Sequence, residues 1–424
     1  MLLSSTEDKD LTSASERLVA GRTERAFLEE LIERQTHARD LLSAETEEQK
    51  QRGYFHTLHE ILQQPWTWLD TCDRMSSQAA ELKKIIAGIR SLVLTGSGSS
   101  EYAGDCVRQT LQRELAVSAQ VIGGGALLMH GRAVFPPERP ALMVSLARSG
   151  DSPESDGALS QLLEQEPSIR HLVLTCNQRG ALAARYARDP RVGVMVLDDR
   201  TNDRSLVMTS SLTNLVLAVR FLGLLDSPEI CRRICARLSA ICCQLFLENF
   251  DVLARIAEKP YNRIVYLGSG PMWGAARESA LKMLEMTAGR VSAICETYLG
   301  LRHGPMSYIT DETLIVCFLS SNPSFRAYET DLLAELTRKQ LGFARVIVGE
   351  GLPNDSLREN DVAIEIPGLS ELGDENATII DVVVGQLLAF SRCLREGLRP
   401  DSPSVDGVIN RVVESFSVYN HRTM

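Results

Sequence analysis

Two stretches of this chain, SLVLTGSGSS (residues 91–100) and RIVYLGSGPM (residues 263–272), share one form: an apolar strand, then Gly-Ser-Gly, then the start of a helix. Gly96 and Gly268 stand 172 residues apart, about one domain length. A strand that runs through a glycine-rich turn into a helix makes an anion site. Glycines let backbone N–H groups approach the ligand, and the helix N-terminus adds positive potential. Two such units predict a duplicated α/β domain that handles a phosphorylated compound. They do not predict a dinucleotide. That fingerprint needs glycine at the first, third and sixth positions, and the sixth positions here are Glu101 and Trp273. Glu101 would set a carboxylate against a pyrophosphate. The turns carry hydroxyls instead, Ser97, Ser99, Ser100 and Ser269, which suit a compact phosphate monoester.

The rest of each half continues the alternation. Val/Ile/Leu runs at 91–95, 141–147, 171–176 and 192–197, and again at 263–267, 313–319, 345–349 and 362–366, are separated by helical patterns or short elements. Near-continuous apolar strands between helices mean parallel sheets covered on both faces. The expected fold class is α/β: two doubly wound parallel-sheet domains in tandem with a helical N-terminal extension. The extension is expected over 1–75, the first domain over 76–250 and the second over 251–424, with helices filling 227–258. Pro65 suits the first turn of a helix, and Gly88 its stop.

Composition narrows the function classes. The 424 residues carry a net charge of −10 with no basic cluster, so nucleic acid is not an expected partner. No apolar run reaches the roughly 20 residues of a membrane span, and the acidic start MLLSSTEDKD lacks the apolar core of a signal peptide. A cytoplasmic protein with no membrane partner is expected. The ten cysteines form no CxxC pair and lie mostly in apolar runs, which reads as buried free thiols in a reducing compartment. The seven histidines include no HxH or HExxH, so no metal site is expected.

The loop after the second strand, SLARSGDSPES (residues 145–155), holds Ser145, Ser149, Ser152, Ser155 and Arg148, with Gly150 at the turn and Pro153 opening a helix. Alone, this describes a solvated serine-rich turn. Beside the first Gly-Ser-Gly turn, at equivalent strand ends, its hydroxyls can converge on one ligand. Farther on, Glu278, Lys282 and Glu285 recur at i, i+4 and i+7 on one helix face. That spacing alone describes a surface ladder of ion pairs. His303, before Gly-Pro, alone describes a turn residue.

Six ordered segments together resemble a known family. TGSGSSEYAGDCV, SLARSGDSPES, LTCNQRGALA and DDRTNDRSLVMTSSLTN are similar to successive signatures of the sugar isomerase (SIS) domain. ESALKMLEMTAG…ETYLGLRHGPMS resembles the helix and His-Gly-Pro loop of the second domain, and SPSVDGVINRVV its C-terminal strand and turn. The resemblance covers about residues 50–415 and is strongest to tandem-SIS proteins described as tagatose-6-phosphate ketose/aldose isomerase or galactosamine-6-phosphate deaminase.

The resemblance implies a phosphorylated sugar or amino sugar whose phosphate sits at the first domain. The matching donors are Ser99 and Ser100, then Arg148, Ser149 and Ser152, with Thr209 and Ser210 as a third contact segment. In the related isomerase half of glucosamine-6-phosphate synthase, a serine and a glutamine stand where this chain has Ala147 and Arg148. One hydroxyl is lost and a charged donor gained. Aldose–ketose interconversion needs a base near C1 and C2, an acid for the ring oxygen and positive charge for the enediolate. The resemblance gives these roles to Glu285 as base with Lys282 beside it, His303 as ring-opening acid/base, and Arg411 as a cation near the sugar head. In relatives the histidine crosses from a neighbouring subunit, which implies a homodimer or higher homo-oligomer. No cofactor is implied. The expected activity is phosphosugar isomerisation, with release of ammonia for an amino sugar. The alternative is a non-catalytic phosphosugar-binding regulator, which would keep the serine loops without needing Glu285 and His303.

Overall fold

The computed structural model describes residues 18–352, 357–414 and 416–419. It contains two five-stranded sheets. The first is built from β1 (Ser91–Thr95), β2 (Ser118–Val121), β3 (Ala141–Ala147), β4 (Ile169–Thr175) and β5 (Val192–Val196). The second is built from β6 (Arg263–Leu267), β7 (Ser292–Glu296), β8 (Thr313–Phe318), β9 (Ala344–Gly349) and β10 (Val362–Glu365). The orders are β2-β1-β3-β4-β5 and β10-β9-β8-β6-β7. Numbered within its own half, each sheet therefore has the order 2-1-3-4-5, and every pairing is parallel. The repeated turn belongs to a repeated topology.

Of the four edge strands, β2 and β7 escaped the sequence reading. Neither is a continuous apolar run, and each is partly exposed along its length. The expected helices at 227–258 are one helix, Pro228–Ala257, which runs through the boundary expected at residue 250. No strand forms in Ser402–Val412, which is turn and irregular backbone. The first 17 residues lie outside the described ones, and the extension from Glu24 onward is helical.

Strand alternation divides the core. Leu92 and Leu94 of β1 and Ile264 and Tyr266 of β6 face one continuous core shared by both halves. Val93 faces a smaller core on the far side of the first sheet, and Val265 and Leu267 face its counterpart on the second. The helices Gln64–Ser77, Ser210–Phe221 and Asp374–Arg395 lie between the sheets and add buried hydrogen bonds. Trp68 Nε1 donates to Thr213 at 2.9 Å, Thr71 to Asn214 at 2.7 Å and Gln64 to Gln386 at 2.9 Å. Asp374–Arg395 is the one described helix long and apolar enough to cross a membrane, and most of it is buried in this core.

Two features position the site. The helix Met272–Met286 of the second half crosses the helix Ser99–Leu115 of the first at Gly274, where a Cβ would lie 2.5 Å from the Cys106 backbone. Only glycine permits that approach, and Arg277 clamps it by pairing with Asp105 and lying 4.0 Å over the Tyr102 ring. The C-terminal segment is tied down as well. Asp401 accepts from the N–H groups of His56 and Thr57, capping the helix Phe55–Leu62.

Candidate active site

In a 2-1-3-4-5 sheet the strand order reverses between the first and third strands, and the crevice outside their carboxyl ends receives ligands. A cavity of about 600 Å³ lies there in the first half. Its floor is the first Gly-Ser-Gly turn. Gly98 adopts φ +58°, which favours glycine, and a Cβ on Gly96 would lie 2.6 Å from that of Ser100. The same strain recurs at Gly270, φ +61°, and Gly268, where a Cβ would lie 2.3 Å from the Met272 carbonyl oxygen. Ser97, Ser99 and Ser100 line the cavity where the helix Ser99–Leu115 begins.

The loop after β3 forms the adjoining wall with Arg148, Ser149, Gly150 and Ser152. Arg148 is buried, and much of its donor capacity is committed to the chain. It donates to the carbonyl oxygens of Ser205 at 3.2 Å, Leu206 at 2.9 Å and Arg411 at 2.5 Å. Arg411 also lines the cavity and is held by the Asp203 carbonyl at 2.8 Å and Asn202 at 2.7 Å. Burial, and then the positive charge of Arg411, lower the Arg148 pKa. An anion between the two would relieve that repulsion.

Thr209 and Ser210 do not line the cavity. The segment sits behind it, fully buried, with two of its backbone N–H groups turned to Asp203. Thr209 N–H and Ser211 N–H donate to that carboxylate at 2.7 and 2.9 Å. Met208 and Leu206 present the segment's surface to the cavity instead. Behind them Glu60 accepts from Arg204 N–H and both groups of Ser205. Burial, with Asp203 nearby, pushes its carboxyl up to about 8.

The third wall comes from the second half. Glu285, with 22 % of its side chain exposed, faces the cavity beside Leu281. Lys282 is completely buried, not a cavity residue, and donates to Glu285 from behind. Glu278 lies on its other side at 3.4 Å, also buried, with neither oxygen making a full hydrogen bond. The face that spacing describes as a surface ladder is thus an interior one. Burial raises the Glu278 carboxyl to about 7 despite the opposing pull of Lys282. For Lys282 burial acts downward, and Glu278 and Glu285 outweigh it, so its pKa rises.

The structure therefore gathers Ser99, Ser100, Arg148, Ser149, Ser152, Glu285 and Arg411 around one cavity. His303 is exposed on the second half and does not line that cavity within one chain. Sequence reasoning named Arg411 but missed the residues beside it in the wall, 408–410, 413 and 414, and the buried Glu60 and Asp203 beneath the loop. An irregular segment has no periodicity to reveal it. An acid in the run DDRTNDRS looks solvated until its partners are known.

The equivalent crevice of the second half, about 610 Å³, is different in kind. Asp374 accepts from Ser320 Oγ and from Ser321 N–H and Oγ, the latter two both at 2.8 Å. A carboxylate of the chain itself takes the donors that an anion would use, and Glu375 adds a second negative charge.

Known proteins agree with this architecture. No family model matches the chain. A Streptomyces coelicolor protein provisionally named D-galactosamine-6-phosphate deaminase AgaS is 35% identical over 374 residues, covering 86% of this chain and 95% of its own length. An Escherichia coli D-galactosamine-6-phosphate deaminase AgaS is 33% identical over 370 residues, with the same coverage of 86% and 95%. Among solved structures, tagatose-6-phosphate ketose/aldose isomerase from Escherichia coli superimposes with a TM-score of 0.77 at 29% identity, covering 87% of this chain and 97% of that one. The chain belongs to the D-galactosamine-6-phosphate deaminase (AgaS) family of tandem sugar isomerase proteins.

Proposed function

We propose that this chain is an aldose–ketose isomerase of a sugar 6-phosphate, acting on an amino sugar of the galactosamine 6-phosphate type and releasing ammonia. One observation carries the reading: a single cavity has an anion-type turn on one wall and a lysine-bonded carboxylate, Glu285, on another. At about 600 Å³ it is in the range of sites that enclose a small ligand.

In this reading the phosphate rests on the N–H groups and hydroxyls of Ser99 and Ser100, with Ser149 and Ser152 closing from the side. Arg148 adds positive charge while holding the C-terminal segment. The sugar head then extends towards Glu285 and Arg411. His303, brought by a neighbouring subunit, protonates the ring oxygen and opens the ring. Glu285 removes the C2 proton and the enolamine forms. Arg411 supplies positive charge for the electron-rich head. Glu285 returns the proton to C1, leaving a ketimine at C2. Water adds there and ammonia leaves, giving the ketose phosphate. For a neutral sugar the same proton shuttle passes through an enediol and ends at the ketose.

A panel of phosphorylated and free sugars, followed for both ammonia and ketose, tests the proposal. Turnover confined to 6-phosphates, with ammonia from amino sugars, is the expected result. Binding of phosphosugars without turnover of any would instead favour the regulatory alternative.

A further inference from the structure

Far from that cavity, three cysteines meet. Cys72 stands on the helix Gln64–Ser77, and Cys231 and Cys235 stand one turn apart on the helix Pro228–Ala257. Their sulfur atoms lie within 4.8 Å of one another, with Cys72 and Cys231 at 3.5 Å. All three are buried, at 2 %, 4 % and 1 % exposure. No sequence pattern announces the group, because Cys72 is 159 residues from Cys231.

We propose that Cys72, Cys231 and Cys235 form a three-thiolate site for a thiophilic d10 metal ion, either Zn²⁺ with a water in the fourth position or trigonal Cu⁺. The geometry supports this. Metal–sulfur bonds of about 2.3 Å place the sulfurs of one ion roughly 3.8 Å apart, which lies between the shortest separation here and the 4.8 Å limit. Side-chain rotations alone could close the set. Thiolate sulfur is the donor such ions prefer. A groove of about 540 Å³ lined by Cys72, Asp73, Arg232 and Arg233 gives an entry path and room for a water ligand. Arg233 supplies positive charge beside a complex that is negative overall, three thiolates against Zn²⁺ or Cu⁺, while Arg232 pairs with Asp73 at 3.6 Å. Binding replaces three S–H bonds with three metal–sulfur bonds and releases three protons, so no oxidant or reductant takes part. The ion would pin the N-terminal helical layer to the long helix between the two halves.

The test uses the full chain, stripped with a chelator and kept reduced with a phosphine. Cd²⁺ serves as the optical probe through its sulfur-to-metal charge-transfer band, with separate Zn²⁺ and Cu⁺ titrations to choose between the two ions. The expected result is one ion per chain and a higher Tm on binding. Cys72→Ser or Cys235→Ser should weaken affinity at least about 100-fold, beyond what loss of an outer partner costs. Cys393→Ser, at a buried thiol elsewhere, should leave affinity unchanged. Cadmium NMR and X-ray absorption of the parent protein should count three sulfurs, which keeps the test valid if a variant fails to fold. The proposal is overturned by absence of the band, by binding that survives the substitutions, or by a Cys72–Cys231 disulfide forming with no ion retained.

Discussion

In the proposed mechanism, Glu285 is the residue on which the chemistry turns. It is a carboxylate from the second half that lines the cavity beside the turn and the loop of the first, and Lys282 fixes it from behind. Glu285→Gln keeps the shape and the hydrogen bond but cannot carry a proton. The expected result is a fall in kcat of about 10²–10⁴-fold with little change in KM. Exchange of the C2 proton with solvent deuterium should fall with it. Near-full turnover would move the base elsewhere. Arg148 calls for a different test because its guanidinium serves two tasks. Arg148→Lys retains a charge but cannot reach the carbonyls of Ser205, Leu206 and Arg411 together. KM for the phosphosugar should rise by about 10–100-fold, the equivalent of roughly 1.5–3 kcal/mol for a charge-assisted hydrogen bond. Proteolysis near residues 404–414 should also quicken. A raised KM with unchanged proteolysis would confine Arg148 to ligand binding. Ser99, Ser100, Ser149 and Ser152 were legible in the sequence because a strand-end turn exposes its hydroxyls wherever it occurs. Thr209 and Ser210 misled because a hydroxyl-rich run reads the same whether it faces a ligand or the interior, and here the Thr209 N–H donates to a buried aspartate while the Ser210 hydroxyl accepts from Asn214.

At the scale of elements, the sequence resolved what has a period and lost what has none. Eight strands were readable as apolar runs, the edge strands β5 and β10 among them. The edge strands β2 and β7 were not, because their partly solvated residues do not form a continuous apolar run. The Glu278–Lys282–Glu285 face shows the opposite limit. Its i, i+4, i+7 spacing was plain, but spacing does not tell whether a helix face meets water or protein. Burial has a consequence for stability. The Glu278 carboxyl is raised mainly by burial to about 7 from an ordinary 4.5, so the folded state holds a proton that the unfolded chain has released. The associated stabilisation is complete below pH 4.5 and is lost as the pH rises through about 7. Glu278→Gln removes this titration. Relative to the variant, the parent should lose on the order of 3 kcal/mol across that window. Paired thermal melts of the two proteins at several pH values measure it. A difference that stays flat with pH would mean that Glu278 does not titrate there.

On the scale of the whole molecule, the two halves share one plan and differ in what lines their crevices. Both halves keep the turn, the sheet order and a crevice of similar volume. One crevice offers free serines and two arginines. The other has Ser320 and Ser321 bonded to Asp374, so it does not present the same invitation to a phosphate. The second half contributes Glu285 to the first site instead, through the close helix crossing at Gly274. His303 remains exposed and outside the cavity of its own chain. If it serves the reaction, it does so in a second subunit, and the site of one chain is incomplete without its neighbour. Subunit mixing can test this. His303→Ala and Glu285→Gln proteins should each be nearly inactive alone. In a dimer that contains one of each, one site receives an intact His303 and an intact Glu285, while the other receives neither. About half of the mixed dimers' sites should then work, giving activity far above either parent variant. Differential tags on the two proteins would isolate the mixed species before assay. Isolated mixed dimers with no recovered activity would confine His303 to its own chain, and a fully active His303→Ala protein would place it outside the reaction. A chain that remains monomeric at assay concentrations and is fully active would remove the shared site altogether.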